Sequence, residues 1–121
     1  MVKVEVCVES VASALAAEQG GAHRIELCSA LTIGGMTPSV AILKKIKNVL
    51  KIPINCLIRC VPSGFCYSEA EIELMKDQIC MLKNEGADGF VIGCLTNNEQ
   101  MHLEHTRQGG FLKDSSTIIV Q

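Results

Sequence analysis

Apolar and polar residues alternate strictly over residues 2 to 8: Val2, Val4, Val6 and Val8 interleave with Lys3, Glu5 and Cys7. Side chains alternate across a strand, so this stretch predicts a strand with one apolar face and one face carrying charge and a thiol. The same design returns over residues 24 to 28, where Ile25 and Leu27 oppose Arg24, Glu26 and Cys28. Between the two, Ser10 is a good helix N-cap, and an alanine-rich body (Ala12, Ala14, Ala16, Ala17) favours helix. Gly20 or Gly21 ends it in the left-handed conformation.

The later pattern repeats this unit. Thr37 as cap, with Pro38 at the first helical position, predicts a second helix. Its apolar face is Ile42, Leu43, Ile46, Val49 and Leu50, and Lys44, Lys45, Lys47 and Lys51 form a solvated face. Pro53 opens a third strand over residues 54 to 60. Parity separates Ile54, Cys56, Ile58 and Cys60, turned toward helices, from Asn55, Leu57 and Arg59 on the other side. Ser68 with Glu71 makes a capping box. Ile72, Met75, Ile79 and Leu82 follow at helical spacing, Gly86 ends the helix, and residues 87 to 94 predict a fourth strand. Past Thr96 the pattern fades into a polar stretch with Gly109-Gly110 and an apolar end, Ile118-Ile119-Val120, expected to give one short strand or none.

Strand and helix alternate four times over, which calls for parallel strands joined by right-handed crossovers. Such a sheet is either doubly wound or part of a (β/α) barrel. A dinucleotide site would require Gly-x-Gly-x-x-Gly after the first strand, and that turn reads Cys7-Val8-Glu9-Ser10-Val11-Ala12. Polar positions facing inward on three strands favour the barrel. A complete barrel takes about 250 residues and this chain has 121. The expected architecture is therefore an α/β, incomplete TIM (β/α) barrel of about four parallel strands and three helices, followed by an irregular C-terminal tail.

Composition narrows the function. A 48% hydrophobic content supplies a core and argues against disorder. A formal charge of −2 gives no general attraction to nucleic acid or an anionic membrane. No apolar run approaches the ~20 residues of a membrane span, and Glu5 and Glu9 interrupt any signal-peptide core. Seven cysteines without a Cys-x-x-Cys read as reduced cytosolic thiols, most of them small core hydrophobes.

Candidate chemistry gathers where the first two strands end, each in Glu-x-Cys: Glu5 to Cys7 and Glu26 to Cys28. Parallel neighbours lie about 4.8 Å apart, so Cys7 and Cys28 are expected side by side, able to clasp a soft monovalent metal. In an alternative reading Glu5 and Glu26 are acid/base groups. Arg59 then stands beside them in the mouth to hold a carboxylate or phosphate, as in an enzyme acting on a small anionic or sugar-like metabolite. The same three residues also suit an ion-pair network filling a barrel, and binding is favoured over catalysis. Cys56 with Cys60, and His102 with His105, are weaker metal-ligand pairs, and His23 reads as a turn residue at the surface.

Several segments taken together resemble the N-terminal half of the CutC copper homeostasis family. They are Glu5-Val6-Cys7-Val8-Glu9-Ser10-Val11, residues 20 to 28 from Gly20-Gly21-Ala22-His23 to Leu27-Cys28, Gly34-Gly35-Met36-Thr37-Pro38-Ser39, Ile58-Arg59, Phe65-Cys66-Tyr67-Ser68, Gly86-Ala87-Asp88-Gly89 and Gly93-Cys94-Leu95-Thr96. The resemblance covers about residues 2 to 98. It implies a TIM-barrel fold, a cytoplasmic or nuclear role in copper homeostasis, and Cu(I) as the bound metal, with Cys7 and Cys28 as its ligands. Cys60-Val61-Pro62-Ser63 stands where the family carries Pro-Arg-Gly-Gly. On this reading residues 1–98 are half of a CutC-like barrel and 99–121 a divergent tail. The chain is then a truncated form, active or inactive, that binds copper ion but no nucleic acid or membrane. Its open strand edges are expected to invite a second copy.

Overall fold

The computed structural model describes residues 2–92 and the backbone of one further strand, Thr117–Val120. Five strands form one sheet: β1 (Glu5–Val8), β2 (Arg24–Leu27), β3 (Ile54–Leu57), β4 (Gly89–Ile92) and β5 (Thr117–Val120). Between the first four lie helices α1 (Val11–Gln19), α2 (Val40–Lys47) and α3 (Glu69–Asn84). Every pairing is parallel and the strand order is β1-β2-β3-β4-β5. A doubly wound sheet reverses its order at a switch point. An order that never reverses carries its crossovers on one side, as a barrel wall does.

The local signals act largely as their chemistry dictates. Ser10 accepts from Ser13 N at 3.0 Å, and the Ser13 hydroxyl accepts from Ser10 N at 3.2 Å, closing the first turn of α1. Gly21 (φ +94) and Gly86 (φ +100) take the left-handed turns that end α1 and α3. Ser68 and Glu71 form the expected capping box, with Glu71 accepting from Ser68 N at 2.8 Å. The second helix starts later than its sequence suggests. Ser39, not Thr37, is its N-cap, accepting from Ile42 N at 3.2 Å. The Thr37 hydroxyl is used elsewhere: it accepts from Arg59 N at 2.8 Å and donates to Gln78 at 3.0 Å.

Two packing layers follow from strand parity. Ile25, Leu27, Ile54, Cys56, Ile58, Phe90 and Ile92 meet Leu43 and Ile46 of α2 and Ile72, Met75 and Leu82 of α3 in the main core. On the other face Cys28, Leu57 and Val91 form a smaller cluster that Leu31 helps to cover. Burial raises the Cys56 thiol to about 12 from an ordinary 9. A folded-state value above the unfolded one contributes stability below pH 9 that is lost as pH rises through the folded value. Denaturant melts should therefore show about 1 kcal/mol lost from this group by pH 10, a loss that Cys56→Ala should lessen.

Candidate metal centre

β1 and β2 pair with a stagger that their sequence similarity does not reveal. Glu5 lies opposite Arg24, Val6 opposite Ile25, and Cys7 opposite Glu26. The two Glu-x-Cys ends are thus offset by two residues, and Cys7 faces a carboxylate instead of Cys28. The ladder partners differ from that expectation, because register, not motif identity, sets lateral neighbours, yet Cys28 still stands close enough to Cys7 for a side-chain hydrogen bond between the two thiols. The thiols remain on one face of the sheet, at the C-terminal ends of their strands, with Glu26 between them.

That carboxylate joins the two. The Cys7 thiol donates to Glu26 Oε2 at 2.8 Å, and the Cys28 sulfur stands 4.0 Å from the same oxygen. Cys28 also lies 3.6 Å from the Glu26 carbonyl oxygen. Cys28 is buried and Cys7 reaches solvent, so the pair opens outward through Cys7. Glu26 is only 6% exposed, and its Oε1 is buried without a hydrogen-bond partner. Burial, the hydrogen bond to Glu26 and the charges of Glu26 and Glu5 push the Cys7 thiol up to about 11. Burial and then the Glu26 charge push Cys28 up to about 12. Both thiols are protonated at neutral pH, and a metal that takes their thiolates must displace protons.

The other candidates stand apart. Glu5 accepts from Arg24 Nε at 2.6 Å and from Asn55 Nδ2 at 3.2 Å, a half-buried ion pair one step toward the N-terminal ends of the strands. Arg59 does not stand beside Glu5 and Glu26, as parity alone implied. Its Nη1 donates to the carbonyls of Ile33 and Gly35, both at 3.1 Å, and its Nη2 to Pro62 O at 2.9 Å. The guanidinium also lies 4.8 Å from the centre of the Phe65 ring. Among the described residues it makes no ion pair. Arg59 ties the loop after β2 to the loop after β3 through both terminal nitrogens, while its Nε is buried without a hydrogen-bond partner. A concavity of about 290 Å³, lined by Lys3, His23, Arg24, Pro53, Asn55 and Asp88, opens at the opposite end of the strands from the thiols. Cys56 is sealed in the core and Cys60 is half-buried with its thiol toward Glu71 O at 3.8 Å. His23 is exposed, accepting from Val4 N at 2.8 Å. His102 and His105 lie outside the described residues. Cys7, Cys28, Cys56, Cys60 and Cys80 are free thiols, and among the described residues no group of three or more His, Cys, Asp or Glu side chains could hold a metal ion.

The sequence shows residues 29 to 36 as a loop with Gly34-Gly35, but not that this loop packs over Cys28. Glu9 accepts from Leu31 N at 2.9 Å, and Ser29 and Met36 exchange backbone bonds of 2.9 and 2.7 Å. Ala30 (φ 50), Gly34 (φ +94) and Gly35 (φ +91) are left-handed within it. A Cβ on Gly35 would sit 2.9 Å from Leu57 Cδ2 and 3.5 Å from Cys28 Cβ. Gly35→Ala is therefore expected to cost about 1–3 kcal/mol through strain and crowding, read as a lowered Tm. The Gly34-Gly35 pair was the one signal in the sequence for this close approach.

The model of the CutC family matches residues 2–111, past the residue-98 limit of the sequence resemblance. A copper homeostasis protein cutC homolog of Drosophila melanogaster is 47% identical over 109 residues, covering 88% of this chain and 41% of that protein. Its Homo sapiens counterpart is 50% identical over 101 residues, covering 84% and 37%. A solved structure of CutC from Streptococcus agalactiae superposes with a TM-score of 0.91 at 26% identity, over 99% of this chain and 59% of that one. The chain spans about two-fifths of the length of the curated relatives it matches. No helix among the described residues is long and apolar enough to cross a membrane.

Proposed function

The chain belongs to the CutC family, and from that premise we propose that it serves copper homeostasis by holding Cu(I) between Cys7 and Cys28. The observation that carries this is the pair of free thiols reaching one carboxylate oxygen, at 2.8 and 4.0 Å, on the face of the sheet away from the helices. Thiolates select Cu(I) over hard cations, and two of them suffice for this ion. The pair lies at the C-terminal ends of its strands, the end at which barrel proteins place their chemistry. Free thiols agree with a reducing, cytosolic setting. The loop between Cys28 and Met36, pinned by Arg59 and Glu9, keeps Cys28 in a fixed, dry position beneath it.

The residues present fit the ion. Cys28 supplies the buried sulfur, Cys7 the sulfur that meets incoming metal, and the Glu26 carboxylate holds the Cys7 thiol toward Cys28. Anaerobic titration of the chain against a competing Cu(I) chelator tests the reading, and one tightly held copper per chain is the expected end point. The enzyme alternative is less well supported, because Arg59 is committed to carbonyls and Glu5 to Arg24.

A further inference from the structure

The concavity at the N-terminal ends of the strands takes no part in the thiol site, and its chemistry is different. Its lining comes from the entries of four strands: Lys3 ahead of β1, His23 and Arg24 at β2, Pro53 and Asn55 at β3, and Asp88 ahead of β4. The acids around it are already engaged. Glu5 accepts from Arg24 Nε at 2.6 Å and from Asn55 Nδ2 at 3.2 Å. Asp88 Oδ2 accepts from Ile54 N at 2.9 Å and from Lys47 Nζ at 3.2 Å. Donors are what remain. Among the described residues Lys3 makes no ion pair, and Arg24 uses only its Nε, which leaves both terminal nitrogens. His23 Nδ1 accepts from Val4 N at 2.8 Å. That bond takes the Nδ1 lone pair, so the ring hydrogen sits on Nε2 as a further donor. Arg24 answers Glu5 and Lys47 answers Asp88, and the charge of Lys3 stays uncompensated.

We propose that this concavity binds a small oxyanion of the phosphate class, through the Lys3 ammonium, the terminal nitrogens of Arg24 and the His23 Nε2–H. A guanidinium offers phosphate oxygens a planar fork, and an ammonium adds a point charge. The fork is held in place before any ligand arrives. Asn55 is only 4% exposed, and its amide fixes the Glu5 carboxylate that in turn holds Arg24. Such preorganisation lowers the ordering cost of binding. The volume of about 290 Å³ lies at the small end of ligand pockets, which run from about 300 to 1,000 Å³. It suits a phosphate group, free or carried on a short organic body, and not a nucleotide. The N-terminal end of barrel strands serves stability and not chemistry, so the bound anion acts by stabilising the fold through mass action. The site shares no residue with the thiol pair and stands independently of the copper reading.

The test is equilibrium dialysis of the full chain against radiolabelled inorganic phosphate at fixed ionic strength. Saturation at one phosphate per chain is expected. Lys3→Gln should weaken binding by about tenfold, the loss of one charge-assisted hydrogen bond. Arg24→Lys keeps a cation for Glu5 but removes the fork, and should weaken it by a similar factor. Lys3 is exposed and makes no ion pair among the described residues, so its variant should fold as the wild type does, which circular dichroism checks. Lys44→Gln/Lys45→Gln, on the exposed face of α2, and Cys7→Ser/Cys28→Ser should each bind phosphate as the wild type does. Glycerol phosphate as competitor separates the two sources. Displacement at a lower concentration than inorganic phosphate assigns the site to a phosphorylated small molecule, and displacement no better than that assigns it to the free ion. Absence of saturable binding, unchanged affinity in Lys3→Gln, or an equal loss in the α2 variant overturns the proposal, and none of these bears on the copper reading.

Discussion

Replacing both thiols, Cys7→Ser with Cys28→Ser, is expected to lower Cu(I) affinity by about four orders of magnitude. Structural zinc sites with four ligands bind with about 10–16 kcal/mol, or about 3 kcal/mol per ligand, and two lost ligands then amount to about 10⁴-fold. Either single variant should lose about a hundredfold by the same scale. The fold is expected to survive, since Cys7 is exposed and Cys28 belongs to the small cluster with Leu57 and Val91, not to the main core. Competition against a Cu(I) chelator reads the affinity, and circular dichroism confirms the fold. Retained affinity in the double variant would move copper to another group, such as Cys66 or Cys80, both exposed.

Copper affinity should also climb steeply with pH. Burial and the Glu26 carboxylate hold Cys7 near 11 and Cys28 near 12, against an ordinary thiol at 9. Both are protonated between pH 6 and 8, so binding one Cu(I) releases two protons. The apparent constant then rises about a hundredfold per pH unit. The sign follows from the direction of the shifts: a raised value favours the protonated thiol, which competes with metal at every pH below it. The slope should flatten only as pH approaches 11. Isothermal titration in buffers of different ionisation enthalpy counts the protons directly. A flat profile from pH 6 to 8 would mean that the thiols are already ionised, contrary to their surroundings.

Much of this arrangement is written in the first thirty residues. The alternation of valines with Lys3, Glu5 and Cys7 assigns a face to each side chain, because a strand offers only two. Ile25 and Leu27 do the same for Glu26 and Cys28, and both predictions of facing agree with the packing. Capping residues mark α1 and α3 because their hydrogen bonds are local, between Ser10 and Ser13 and between Ser68 and Glu71. Register is different. Two similar Glu-x-Cys segments invite alignment like with like, yet the ladder pairs Cys7 with Glu26. Nothing local to either strand encodes that stagger.

Arg59 shows the same division. Parity places it away from the helices, but where a long side chain ends depends on what receives it. The carbonyls of Ile33, Gly35 and Pro62 come from two loops that are far apart in the chain. Thr37 looks like a cap because it precedes Pro38. It is drawn off by the Arg59 backbone, and Ser39 takes its place. The strand at Thr117–Val120 was legible only as three apolar residues at the end of a polar stretch, and it pairs with β4 in parallel. The family resemblance reached the motifs with distinctive residues, and the family match continues to residue 111, where no such motif stands.

X-ray absorption at the copper edge of the Cu(I)-loaded chain tests the central claim most directly, because it reports the atoms bonded to the metal. Two sulfur neighbours in the wild-type chain, absent from Cys7→Ser/Cys28→Ser, are predicted. A sulfur shell that persists in the double variant, or a first shell made of nitrogen in the wild type, would contradict it.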